Sequence, residues 1–171
     1  MSTLEKQITK ANRLQTITQK VGFAIWQLQE LEGVTAQYFV LIIQAKRGMG
    51  IEAGLELTNK ALSKTFGSTI INLAKSKLLS NELETKLQSI LLERNWLVHN
   101  SRASNRNAIY DEAAFEKLVL KLDALAEHAF LLLKEIGKLV QLYVQEHDVN
   151  LTQIEEIATK TLQEWHGNDT L

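Results

Sequence analysis

Apolar residues return every three or four positions along most of this chain, the spacing of amphipathic helices rather than strands. The longest such run is Phe115, Leu118, Leu122, Leu125, Ala129, Leu132, Ile136, Leu139 and Tyr143. Val119, Ala126, Leu133 and Val140 recur every seven residues beside it. This predicts a helix from Asp111 to about Glu146 with a bundle seam of coiled-coil type. Because the other helices also need a partner, the seam is expected to serve an intramolecular core. Leu4, Ile8, Ala11 and Leu14 predict a first helix over 3–19, with a break or a close packing point at Gly22. Ala24, Leu28, Leu31, Thr35, Tyr38 and Ile42 predict a second over 23–46. A glycine-rich connection, Arg47 to Gly54, leads to two shorter helices at 55–64 and 68–78, parted near Gly67. Ser80 or Asn81 can cap the next helix, with Glu82 and Glu84 in its first turn, and that helix runs to about Asn100. Ser101 to Asn107 reads as a polar loop. Asn150 and Gln153 form a candidate capping box for a last helix to about Trp165.

The expected fold class is therefore all-α: a single-domain, up-and-down bundle of long helices over residues 1–171, with its core at about 5–145 and a C-terminal helix at 150–166. Composition agrees. The chain has 171 residues, 45% of them apolar, and no proline to interrupt a helix. With no cysteine there is neither a disulfide nor a thiolate metal site. The N-terminus lacks a hydrophobic signal core. The apolar run at Tyr38–Ile43 is too short to span a bilayer, and Lys134, Glu135 and Lys138 interrupt the one at Ala129–Val144. A soluble, cytoplasmic protein without membrane association is expected. The net charge of −1 means that any nucleic-acid contact must come from a local basic patch.

The chemistry concentrates in Leu91-Leu92-Glu93-Arg94-Asn95-Trp96-Leu97-Val98-His99-Asn100-Ser101. On an ideal helix, Leu83, Leu87, Ile90, Leu91, Leu97 and Val98 form one apolar stripe with Arg94 in its middle. A guanidinium there must meet a carboxylate or face a site that needs a cation. Glu30 and Glu32 on the helix predicted at 23–46 are both candidates for that carboxylate. Asn95 and His99 lie four apart and share a face, flanked by Leu92 and Trp96. Arg94 and His99, five apart, are separated by about 140° on an ideal helix and do not share one. A compact site would require the helix to unwind near Val98–Arg102. The other solution is two copies of this helix facing across a two-fold axis.

Arg94-Asn95-Trp96-Leu97-Val98-His99 resembles the signature of the HEPN superfamily: an arginine, four to six residues, then a histidine, often with a polar residue directly after the arginine. The resemblance covers roughly residues 5–145, and its specific part is 93–100. It implies a metal-independent endoribonuclease of toxin or phage-defence type, cleaving RNA by attack of its own 2′-hydroxyl in a composite dimer site. Arg94 would stabilise the phosphate, His99 would act as acid or base, and Asn95 would orient them. Asn100, Arg102 and Arg106 would hold RNA. A homodimer is expected, with Leu92 and Trp96 in the contact. An antitoxin, of nucleotidyltransferase type or another small protein, is the partner the resemblance implies. No cofactor is expected.

Other chemistry finds no pattern. There is no His-x-x-x-His or Glu-x-x-His metal element, no nucleophile elbow and no zinc deaminase signature. Arg47–Gly54 lacks the Gly-Lys-Ser/Thr ending of a phosphate loop. His128 reads as structural, and His147 lies near a helix C-terminus, where a cation meets the dipole favourably. Two alternatives stand beside the enzyme. One is a non-catalytic HEPN-like module that binds RNA, a nucleotide or a protein. The other is a structural partner protein that uses the Phe115–Tyr143 seam. In the bland case Arg94 pairs with a core carboxylate and His99 caps its helix.

Overall fold

The computed structural model describes residues 2–147. The expected helix at 150–165 and His166 lie outside the described residues. Every regular element among those described is helical: α1 (Thr3–Phe39), a π-helical turn (Val40–Gln44), α2 (Ile51–Leu62), α3 (Phe66–Ser76), α4 (Asn81–Asn95), a second π turn (Trp96–Asn100), α5 (Ser101–Ser104), a 3₁₀ turn (Arg106–Ile109) and α6 (Glu112–Glu146). Two compact units divide the chain, residues 1–137 and 138–171, and the packed core belongs to the first.

Side chains start the helices where free N–H groups need acceptors. Ser2 and Glu5 form a reciprocal capping box at the head of α1. The hydroxyls of Thr65 and Ser80 accept from the N–H groups of Ser68 and Leu83, and the Asp111 carboxylate from that of Ala114. The connection into α2 turns at Gly48 and Gly50, which hold φ of 79° and 81°, a region open to glycine and costly for other residues. That loop is shorter than the pattern suggested, because Ile51–Gly54 already belong to α2. Residues 63–65 part α2 from α3, just before Gly67, which lies in the first turn of α3 where a Cβ would stand 3.5 Å from Leu91 of α4.

The long helices align through paired side chains. Lys86 meets Glu135 at 2.9 Å and Glu93 meets His128 at 3.4 Å, so α4 runs antiparallel to α6. Arg13 pairs with Glu112, and Lys20 meets Asp123 at 2.7 Å, so α1 runs parallel to α6. Between them lies the core: Ala24, Leu28 and Leu31 of α1, Ile70 and Leu73 of α3, Leu87 and Ile90 of α4, and Leu122, Leu125, Ala129 and Ile136 of α6. Apart from Ile70 and Leu73, those are the positions the periodicity marked. Buried Thr35 donates its hydroxyl to the Leu31 carbonyl at 2.7 Å and leaves no polar orphan.

Two expectations need correction. Gly22 neither breaks nor packs closely: α1 passes through it, and nothing lies within 4 Å of a Cβ placed there. The stripe Leu4, Ile8 and Leu14 is helical as predicted, with each side chain more than half exposed. The α-helix that begins at Thr3 ends at Phe39 and continues as a π turn to Gln44, closed by Ala45 N–H donating to the Val40 carbonyl at 2.8 Å.

Gly22→Ala should therefore stabilise the protein by about 0.5–1 kcal/mol, since alanine loses less backbone entropy in a helix interior and meets no obstacle. A rise in the urea midpoint at unchanged slope checks this; a fall would mean the site is less open than described.

Stability should also decline in alkali. Burial pushes the Tyr38 phenol above its ordinary 10.0, so the fold keeps it neutral. Lys86, hydrogen-bonded by Glu82 and then by Glu135, is raised above its ordinary 10.5. Both contributions are present below the ordinary values and are lost as pH climbs through the raised ones. Glu82 shifts the other way: the hydrogen bond from Lys86 holds its carboxyl below 4.5, and its share disappears in acid. The urea midpoint should fall between neutral pH and about pH 11, with a shallower fall in Tyr38→Phe.

Candidate functional site

Leu83, Leu87 and Ile90 bury one face of α4 and so fix the direction of Arg94 one turn later. Its side chain is 30% exposed, and its Nε donates to Glu32 Oε1 at 3.0 Å. Of the two carboxylates considered, Glu32 is the partner. Arg94 Nη1 donates to Asn95 Oδ1 at 3.4 Å. Two of the five guanidinium N–H donors are then engaged, and the head group keeps donors for an anion. Asn95 is exposed; its amide oxygen goes to Arg94, and no hydrogen bond joins it to His99 among the described residues.

Directly after Asn95 the helix widens. Trp96–Asn100 form a π turn, with i→i+5 closure in place of i→i+4. The helix does not unwind near Val98–Arg102; it takes up an extra residue and continues into α5. Leu97 stays 2% exposed while Val98 is 48% exposed, so Val98 does not belong to the apolar stripe. The π turn shifts the register after Asn95, which an ideal 3.6-residue count cannot anticipate. Its effect on the candidate pair is direct. Arg94 and Asn95 still belong to α4, so only the later part of the span to His99 is π; the wider turn narrows the 140° separation of an ideal α-helix without closing it. His99 and Asn100 are exposed, and His99 makes no hydrogen bond or ion pair among the described residues. It caps nothing.

Side chains secure the end of this segment. The Ser101 hydroxyl donates to the Leu97 carbonyl at 2.6 Å, and Ser104 to that of Asn100 at 2.8 Å. The Asn105 amide donates to the Ser101 carbonyl at 2.8 Å. The expected loop after the signature is thus α5 followed by a 3₁₀ turn. Ser and Asn look like loop formers in sequence, but here they supply the backbone acceptors with local donors. Arg102 and Arg106 are exposed and stand on one wall of a cleft of about 620 Å³. Leu14, Ile17 and Val21 of α1 form the opposite wall. The cleft contains Ser101, two residues beyond His99.

Leu92 is 72% exposed. Trp96 is half-buried, with the Lys121 ammonium 3.4 Å from its ring centroid, so one face of that ring is satisfied within the chain. His128 pairs with Glu93 on the surface. His147 stacks on Tyr143, with ring centroids 4.0 Å apart, and its Nδ1–H donates to the Tyr143 carbonyl at 2.8 Å, in keeping with a place at a helix end. Among the described residues no group of three or more His, Cys, Asp or Glu side chains is arranged to hold a metal ion, and no helix is long and apolar enough to cross a membrane.

Next to this cleft α1 also carries basic residues, which the apolar spacing of that stretch does not mark. A signal was present. Lys6, Lys10 and Arg13 recur at spacings of four and three, a basic stripe on one helix face. No protein-family model, no curated protein and no solved structure matches this chain.

Proposed function

We propose that this chain is a HEPN-type endoribonuclease that cleaves RNA through the RNA's own 2′-hydroxyl, without a metal ion. The observation that carries the reading is the π turn that begins immediately after Arg94-Asn95. It moves a solvent-facing histidine toward an arginine with unused donors, and π turns of this kind concentrate at functional sites.

In the reaction, the 2′-oxygen attacks the adjacent phosphorus and its proton passes to a general base. The P–O5′ bond breaks, and the leaving oxygen takes a proton from a general acid. The products are a 2′,3′-cyclic phosphate and a 5′-hydroxyl. Arg94 opposes the charge that builds on the phosphoryl oxygens, with the planar donor fork suited to phosphate. His99 moves the protons. Asn95 holds the guanidinium, and Asn100, Arg102 and Arg106 bind the strand. A homodimer supplies a second His99, so that one imidazole acts as base and the other as acid. A cytoplasmic toxin of this type pairs with an antitoxin, such as a small nucleotidyltransferase.

The second reading is a non-catalytic module that binds RNA, a nucleotide or a protein. The ion pair between Arg94 and Glu32 favours it, because that contact alone accounts for a charge placed at the edge of the core. An oligoribonucleotide with a single 2′-deoxy position at its cleavage site separates the two. The enzyme reading expects cleavage there to stop while binding persists; cleavage at the deoxy position would exclude 2′-hydroxyl attack.

A further inference from the structure

The large cleft does not end at Tyr110. A second cleft of about 420 Å³ adjoins it, and both are lined by Ile109 and Tyr110. The first borders Leu14–Val21 of α1 and the second Thr3–Arg13, so one groove follows the N-terminal half of this helix. From Thr3 to Val21 that path is about 27 Å at 1.5 Å per residue.

Its charge departs from that of the chain. Residues 1–22 and 101–110 together hold six basic side chains and one acidic, while the whole chain is −1, which leaves the remainder at −6. Arg13 and Lys20 are neutralised by Glu112 and Asp123. Lys6, Lys10, Arg102 and Arg106 have no ion pair among the described residues. Tyr110 stands where the clefts meet, its side chain 68% exposed. Lys10 steadies it, with Nζ 4.7 Å from the ring centroid and donating to Oη at 3.1 Å. Unpaired cations along an apolar floor, with an exposed aromatic ring midway, are the ingredients of single-strand binding: the cations track phosphates while bases stack.

We infer that this groove is the tract for single-stranded RNA, leading the strand along α1 to the His99 end of the signature. The tract rests on the nuclease reading for its purpose, but not for its binding. At about 3.4 Å per phosphate it holds on the order of eight nucleotides, and fewer when the strand is stretched. Duplex fits poorly, because an apolar floor rewards exposed base faces that a duplex keeps stacked.

The test is fluorescence anisotropy with an eight-nucleotide single-stranded RNA and its duplex, in a His99→Ala background so that cleavage cannot interfere. Single strands should bind better than duplex. Lys10→Ala, Arg102→Ala and Arg106→Ala should each weaken binding about two- to tenfold and reduce the salt slope by about 0.7. Tyr110→Ala should weaken it about five- to hundredfold. Lys75→Ala, on exposed α3 surface, serves as the off-groove control and should change nothing. Absence of binding at low salt, preference for duplex, or groove variants that bind like the control overturns the tract. Groove-dependent binding by a parent protein that cuts no RNA upholds the tract and overturns the nuclease reading. Cleavage by the parent with groove variants unchanged does the reverse.

Discussion

Under the proposed nuclease function, His99→Ala should give a protein folded to within about 0.5 kcal/mol of the parent that cleaves RNA about a hundred- to ten-thousandfold more slowly. Both halves of that expectation come from placement. The side chain is exposed and makes no hydrogen bond or ion pair among the described residues, so its loss leaves no cavity and no orphaned partner. Its rate effect is that of a general acid or base removed from a proton-transfer step. Turnover of a fluorogenic oligoribonucleotide, measured beside urea unfolding of the same preparation, reads both. A variant that loses stability and activity together would make His99 a structural residue.

Arg94 should separate charge from geometry. Arg94→Ala removes the proposed phosphate fork and leaves the Glu32 carboxylate without its partner. Cleavage should fall about a hundred- to thousandfold. Stability should fall by about 1–2 kcal/mol, between the value of an exposed pair and that of a buried one, because the two side chains are 30% and 28% exposed. Arg94→Lys keeps the charge but lacks the planar fork, so it should recover most of the stability and little of the rate. Glu32→Gln should cost stability on the same scale while leaving most of the cleavage. If rate followed stability through all three variants, the Arg94–Glu32 pair would be a structural tie and nothing more.

How much of this was legible in the sequence follows from what each signal depends on. The seam from Leu118 to Ile136 and the stripe from Ala24 to Thr35 were legible, because burial of a helix face follows from period alone. The Ser80 and Asp111 starts were legible because caps are local. Glu32 was one of two candidates: Glu30 and Glu32 sit two residues apart on α1, and choosing between them requires the rotation of α1 against α4, which no local pattern carries. Gly22 misled because a glycine costs a long helix less than the packing of its remaining residues returns. Val98 misled for a different reason. A π turn arises from one residue too many in a turn, and its residues, Trp96 to Asn100, look like any others in an α-helix. The groove needed both segments at once, since the α1 stripe at Lys6, Lys10 and Arg13 acquires meaning only when Arg102, Arg106 and Tyr110 are brought opposite it.

The measurement that tests the central claim most directly is cleavage of a defined single-stranded RNA by the purified protein in excess EDTA, with the new ends identified chemically. The account predicts cleavage that EDTA does not diminish, with 2′,3′-cyclic phosphate and 5′-hydroxyl ends, and its loss in His99→Ala. Intact RNA, 5′-phosphate ends, or cutting that persists undiminished in His99→Ala would contradict it.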